Sequence, residues 1–122
     1  MYDNEAARFI RAHCSLIGEG IVSGRLFDLG TYPGLVYEPK AQTFIAGEVF
    51  KINSNKKGLT QYLDNFEECG SNFDQPNEYR KEIIPVVVKE NIYHASSYIY
   101  NRSLEGLTLI ESGSYDNKSG TR

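Results

Sequence analysis

The alternation of apolar and polar positions divides the chain into two amphipathic helices and several extended stretches. Helical spacing of apolar residues predicts helices over Asn4–His13 and Lys56–Glu67. The stripe of the second helix consists of Leu59, Tyr62, Leu63 and Phe66. Short runs rich in Val, Ile, Phe and Tyr are typical of strands. We predict strands over Ser15–Leu29, Leu35–Tyr37, Thr43–Ile52, Tyr79–Lys89 and Ile92–Tyr100, with a further short strand in Leu107–Ile110.

Residues between these elements indicate how the strands bend and turn. Glycines at 18, 20 and 24 fall inside the first long strand, where they indicate bulges or bends. The segment Gly30–Gly34 predicts a turn, and Asn53–Asn55 supplies cap residues for the second helix. Pro85 indicates an edge position or a bulge. The expected fold is α+β: a small, mostly antiparallel, glycine-bent β-barrel of about six strands with two short helices.

Length and composition limit the classes of protein to which the chain can belong. With 122 residues the chain suits a single domain, which we place at residues 1–115, followed by a polar tail at 116–122. A net charge of −3 without any basic run argues against a nucleic-acid partner. No apolar stretch is long enough to span a membrane, and the first residues do not form a signal peptide, so we expect a cytoplasmic protein. Cys14 and Cys69 are expected to be free thiols.

The second helix ends in three crowded carboxylates, Asp64, Glu67 and Glu68. At about 100° per residue, Glu68 points almost opposite the apolar stripe, Asp64 leans the same way, and Glu67 falls at the margin of the stripe. Partial burial, neighbouring acids and the negative helix end would all raise the pKa of Glu67, as a general acid/base near neutral pH requires. The alternative is that Glu67 and Glu68 are solvated charges on a frayed last turn.

Several short motifs follow one another along the chain. The helix end reads Leu63-Asp64-Asn65-Phe66-Glu67, and Tyr79-Arg80 opens the next strand. The other motifs are Gly24-Arg25-Leu26-Phe27-Asp28, Tyr32-Pro33-Gly34, Gly47-Glu48-Val49-Phe50, Ser97-Tyr98-Ile99-Tyr100-Asn101 and Ile110-Glu111-Ser112-Gly113-Ser114-Tyr115. In their order and spacing over roughly Ile17 to Tyr115, they resemble the gamma-glutamylcyclotransferase-like superfamily.

The resemblance implies an enzyme that cyclises a gamma-glutamyl group to 5-oxoproline and releases an amine or amino acid. Glu67 would be the catalytic acid/base, and neither a cofactor nor a metal would be required. Tyr32 and Gly34 belong to a loop that lies beside the pocket in the family. Tyr98 and Tyr100 share one strand face and are further candidates for substrate binding, although tyrosines on such a face also pack as ordinary core residues.

One part of the family pattern is not found in the chain. Family members begin with a strand and a Tyr-Gly-(Ser/Thr) loop whose backbone amides hold the substrate, whereas this sequence starts at the following helix. Without that strand we expect an open sheet edge, and hence a monomer or a homodimer formed through it. The alternative function is therefore a non-catalytic small-molecule-binding or oligomerising member of the same fold. Arg80 is expected to pair with Asp64, Glu67 or Glu68.

Overall fold

The structure, a computed structural model, describes residues 4–30 and 32–114. Its elements in chain order are α1 (Asn4–His13), β1 (Cys14–Asp28), β2 (Pro33–Tyr37), β3 (Phe44–Ile52), α2 (Lys56–Phe66), β4 (Tyr79–Val88), β5 (Asn91–Tyr100) and β6 (Thr108–Leu109). The predicted α+β fold with two helices and about six strands is confirmed. Pro33 and Gly34 open β2 rather than completing a turn, and the predicted tail at 116–122 lies outside the described residues.

The longest strand, β1, organises the sheet, and all the described pairings are antiparallel. Its first part pairs with β3, and its last residues pair with β2 and β6. A bulge between Leu16 and Gly18 shifts the β1–β3 register, as the glycines of this strand had indicated. The strands β4 and β5 form the predicted hairpin, and one residue pair, Ile21 with Val87, joins β4 to β1. Closure of this sheet into a barrel stays a prediction.

The core lies on one face of the sheet. Alternation along β4 buries Ile84, Val86 and Val88, whereas Ile83 and Val87 are exposed. Further buried members of this core are Val22, Val49 and Ile99. A Cβ atom on Gly20 would collide with Val86 and would lie 2.8 Å from Val49 Cγ2, so only glycine lets β1 pass this close to the core.

Pro85 occupies the exposed face of β4, opposite His94 of β5. The β4–β5 register continues through the proline without a shift, so there is no bulge at this position. On its other side, β4 pairs with the described part of β1 only at Val87. Although β4 lies between β1 and β5 in the sheet, Pro85 therefore falls in a stretch that has no described pairing with β1.

The two helices pack on each other through an aromatic contact. The rings of Phe9 and Tyr62 stack at a centroid distance of 4.7 Å. Leu59 from the predicted apolar stripe is fully buried. Asn55, one of the three predicted cap residues, begins α2, and its side chain accepts a hydrogen bond from the Gly58 N–H. Within the described residues no helix is long and apolar enough to cross a membrane.

Candidate active site at the end of α2

The carboxyl end of α2 is a closed turn. The helix was predicted to include Glu67 but ends at Phe66, because the backbone reverses over the next two residues. Glu68 has a φ of 51°, in the left-handed region. Its N–H donates to the Asn65 carbonyl at 3.1 Å, and the Cys69 N–H donates to the Asp64 carbonyl at 2.8 Å. These are the two hydrogen bonds of a Schellman motif, so the last turn is not frayed.

This turn places Glu67 and Glu68 in different environments. Glu67 is the C-cap residue and is half-buried, whereas Glu68 is fully outside the helix and exposed. The N–H of Glu67 donates to the Leu63 carbonyl at 2.9 Å. Backbone hydrogen bonding therefore fixes the residue that carries the candidate catalytic carboxylate. The predicted rise in the pKa of Glu67 stays a prediction.

The charge of Glu67 acts on two tyrosines outside α2, Tyr32 in the loop before β2 and Tyr79 in β4. Burial is the largest cause that raises the pKa of Tyr32, and the carboxylates of Glu78 and Glu67 add to it. Burial likewise raises the pKa of Tyr79 strongly, again with contributions from Glu78 and Glu67. Because such interactions fall off with distance, Glu67 belongs to the same neighbourhood as Tyr32 and Tyr79. Both hydroxyls keep their protons near neutral pH and can donate hydrogen bonds.

Three tyrosines form a continuous aromatic wall beside this carboxylate. The ring of Tyr79 lies 6.4 Å from that of Tyr32 and 5.9 Å from that of Tyr100, the latter in an edge-to-face arrangement. The Tyr79 hydroxyl donates to the Pro33 carbonyl at 3.1 Å. A Cβ atom on Gly34 would lie 3.1 Å from Tyr100 Cγ, so glycine allows β2 to approach this ring. The structure thus brings Tyr32, Gly34 and Tyr100 together.

Tyr79 and Glu78 belong to the same group but were not among the predicted site residues. The Tyr32 hydroxyl donates to the Glu78 carboxylate, with oxygen distances of 3.0 and 3.2 Å. Glu78 lies directly before β4, so no periodicity indicated which way it points. Tyr79 is part of the Tyr79-Arg80 motif, and this motif could have indicated from the sequence that Tyr79 belongs to the site. The site therefore contains two carboxylates, Glu67 and Glu78, around a pair of phenols.

The fourth predicted tyrosine, Tyr98, lies in a different set of contacts. Its hydroxyl donates to Asp64 Oδ1 at 2.6 Å, and Lys81 Nζ donates to the same oxygen at 2.8 Å. The prediction that Arg80 pairs with one of the three acids at the helix end finds no support among the described ion pairs. Arg80 pairs with Glu82 at 2.8 Å, because neighbouring strand residues face opposite sides and Lys81 is the one that points toward α2.

A separate groove of about 700 Å³ runs along the other flank of α2. It is open to solvent, and its lining includes Lys56, Asp64, Cys69 and Phe73 but not Glu67, Tyr32 or Tyr79. In the described part of the chain, no group of three or more His, Cys, Asp or Glu side chains could hold a metal ion. We therefore take the candidate active site to be the surface around Glu67, Glu78 and the tyrosine wall rather than the groove.

Comparison with known proteins identifies the family to which this chain belongs. The chain belongs to the family described as "Gamma-glutamyl cyclotransferase, AIG2-like", whose model matches residues 1–117. A relative is the gamma-glutamylcyclotransferase family protein ytfP of Citrobacter rodentium (strain ICC168). It is 36% identical over 101 residues, which cover 82% of this chain and 75% of that protein. The solution NMR structure of ytfP from Escherichia coli is similar with a TM-score of 0.62 and 26% identity, over 90% of this chain and 84% of that one.

Proposed function

We propose that this protein is a gamma-glutamylcyclotransferase that converts the gamma-glutamyl group of a small compound into 5-oxoproline. One observation carries the proposal within the family: Glu67 is held by backbone hydrogen bonds at a closed helix end, in the neighbourhood of Tyr32 and Tyr79. A carboxylate on a fixed turn beside an aromatic wall is suited to moving a proton at a bound substrate. The substrate is a small gamma-glutamyl compound, and the place of action is the cytoplasm.

The reaction is an intramolecular acyl transfer. The alpha-amine nitrogen of the substrate attacks its own gamma-carbonyl carbon, and Glu67 accepts the proton that this nitrogen loses. When the bond between the gamma-carbon and the original amine nitrogen breaks, Glu67 returns a proton to that leaving nitrogen. The products are 5-oxoproline and a free amine or amino acid. Because both reacting groups belong to one molecule, folding the substrate into the attacking conformation supplies much of the rate, and the mechanism requires neither a metal nor an organic cofactor.

The surrounding residues would bind and shape the substrate. Tyr32, Tyr79 and Tyr100 provide an apolar wall for the carbon chain, and Gly34 leaves room beside Tyr100. The hydroxyl protons of Tyr32 and Tyr79 are donated to Glu78 and to the Pro33 carbonyl, so these two oxygens would accept hydrogen bonds from the substrate. Tyr98, whose hydroxyl donates to Asp64, would also contribute to substrate binding. We also propose that the protein acts as a monomer or as a homodimer formed through an open strand edge.

The test is a direct assay for 5-oxoproline after incubation with gamma-glutamyl-amino acids, gamma-glutamylamines and glutathione. We expect at least one of these to be turned over. Glu67→Gln should abolish turnover while leaving the fold intact, because it removes the proton acceptor but keeps the shape. The matched control is Glu68→Gln, which changes the exposed neighbour and should retain activity. If the wild-type protein releases no 5-oxoproline from any of these compounds, the proposal is wrong.

A second candidate is non-catalytic binding of a small molecule on the same fold. The groove along α2 favours it, since this groove offers a volume that does not include Glu67. A binding protein would be stabilised against heat by gamma-glutamyl compounds or 5-oxoproline without consuming them. Thermal unfolding with and without each compound, run beside the turnover assay, separates the two functions.

A further inference from the structure

Three residues before Glu67, the carboxylate of Asp64 joins the end of α2 to two strands. Lys81 Nζ on β4 donates to both oxygens of this carboxylate, at 2.8 and 3.0 Å. The Tyr98 hydroxyl on β5 donates to Oδ1 at 2.6 Å. Lys81 and Tyr98 are direct cross-strand partners, so both donors come from the same level of the hairpin. We refer to Asp64, Lys81 and Tyr98 as the Asp64 cluster.

The cluster is partly shielded from water. The side chains of Asp64 and Lys81 are 30% and 33% exposed, and the ammonium group of Lys81 lies 6.0 Å from the centre of the Tyr98 ring. Charge-assisted hydrogen bonds in such surroundings are stronger and more directional than those of a fully solvated ion pair. The carboxylate is thereby held in one orientation by donors on two strands.

The backbone of Asp64 also takes part in the turn that positions Glu67. Its carbonyl oxygen accepts the Cys69 N–H at 2.8 Å, which is the longer-range hydrogen bond of the Schellman motif. One residue therefore fixes the turn in two ways: its side chain attaches α2 to β4 and β5, and its carbonyl closes the chain reversal. Glu67 lies within the turn that the hydrogen bond from Cys69 to Asp64 closes.

We propose that Asp64 is a positioning residue that holds the Glu67 turn against the β4–β5 hairpin, where Tyr79 and Tyr100 are located. This inference rests on the proposed function, because it assigns Asp64 a role in the chemistry of Glu67. Asp64 acts through the backbone of the turn and does not contact the reacting atoms. Loss of the Asp64 carboxylate should therefore lower kcat while leaving KM nearly unchanged, since Asp64 itself does not contact the substrate.

The variant that tests the role is Asp64→Asn, which removes the charge but keeps the size of the side chain. We expect kcat to fall by about tenfold to a hundredfold, the range that a small misplacement of a catalytic group produces. The matched control is Glu82→Gln, which makes the same change at the Arg80–Glu82 ion pair on the same strand, away from α2. It should leave both kcat and KM unchanged.

A second variant reaches the cluster from the other side. Lys81→Met removes the donor on β4 and leaves the Tyr98 hydrogen bond in place, so it serves if Asp64→Asn does not fold. It should also lower kcat. The double variant Asp64→Asn/Lys81→Met should lose less than the product of the two single effects, because the two residues share one interaction. Independent multiplication of the two effects would contradict the proposal.

Amide hydrogen exchange tests the positioning without any need for turnover. In Asp64→Asn, the amides of Glu67, Glu68 and Cys69 should exchange about tenfold faster relative to core amides of Ile84 and Ile99, whereas Glu82→Gln should not change them. Unchanged exchange at these three amides, unchanged kcat, or an effect on KM alone would each overturn the role of Asp64. Absence of wild-type turnover would instead overturn the proposed function, and the exchange result would still decide the positioning.

Discussion

Replacing Glu68 with glycine is expected to stabilise the protein, because Glu68 is the left-handed residue that ends α2. Its φ of 51° is a conformation that most side chains disfavour and glycine adopts freely. Its hydrogen bond to Asn65 uses only the backbone, so the substitution keeps both hydrogen bonds of the turn. The Glu68 side chain is exposed, and no described hydrogen bond or ion pair depends on it.

Three effects set the size of the gain. Relief of the left-handed strain contributes roughly 1–2 kcal/mol. Removal of a carboxylate from the negative end of the helix adds a few tenths of a kcal/mol. The greater backbone freedom of glycine in the unfolded chain costs about 0.5–1 kcal/mol. The expected net stabilisation is about 1 kcal/mol, which corresponds to a rise in Tm of about 4 °C for a domain of this size.

Thermal and denaturant unfolding measure this gain, with Glu68→Ala as the control. The alanine variant removes the same carboxylate but keeps a Cβ atom at the left-handed position, so it should show only the small electrostatic part of the effect. Turnover should be unchanged in both variants. Equal Tm values for the glycine and alanine variants would refute the assignment of strain to Glu68, and a lower Tm for Glu68→Gly would refute the closed turn itself.

Two further predictions concern the core and the tyrosine wall. Gly20→Ala should lower the free energy of unfolding by about 1–3 kcal/mol, because its Cβ would collide with Val86 and Val49. Urea unfolding measures this loss. Gly47→Ala is the control, since a Cβ there meets nothing within 4 Å, and an equal loss would contradict the crowding at Gly20. The raised pKa of Tyr79 predicts that stability is lost above pH 10, where the unfolded chain ionises this phenol before the folded protein does. Unfolding followed as a function of pH should show a shallower loss in Tyr79→Phe, and an unchanged profile would mean that Tyr79 does not contribute.

Much of the fold could be predicted from the sequence because its elements have distinct periodicities. The stripe that includes Leu59 specified α2, and the apolar run Ile83–Val88 specified β4. The exact end of α2 could not be predicted in the same way. Helical phase assumes that the backbone continues regularly, whereas Glu68 takes the left-handed position that glycine usually occupies. The burial difference between Glu67 and Glu68 agrees with the phase argument, whereas Asp64, which was expected to point away with Glu68, is half-buried against β4 and β5.

The candidate site was harder to predict because it depends on contacts between distant elements. Tyr32 and Glu78 are 46 residues apart and meet only when β2 and β4 are in place. The choice between Arg80 and Lys81 as the partner of Asp64 depended on which face of β4 turns toward α2, and composition does not specify that face. Family resemblance supplied Glu67, and the phenols around it follow from the three-dimensional arrangement.

Among the described residues, one pair joins β1 to β4, and this has a consequence for how the protein responds to ligands. Tyr32 and Gly34 belong to the part of the sheet built on β1, whereas Tyr79 and Tyr100 belong to the β4–β5 hairpin. Only one described residue pair links the strands of these two parts, so packing of their shared core and of the tyrosine wall, rather than a backbone ladder, holds them together. A small molecule bound between them adds its binding free energy to this junction. Ligand binding should thus suppress exchange at Ile21 and Val87 more than at the hairpin turn.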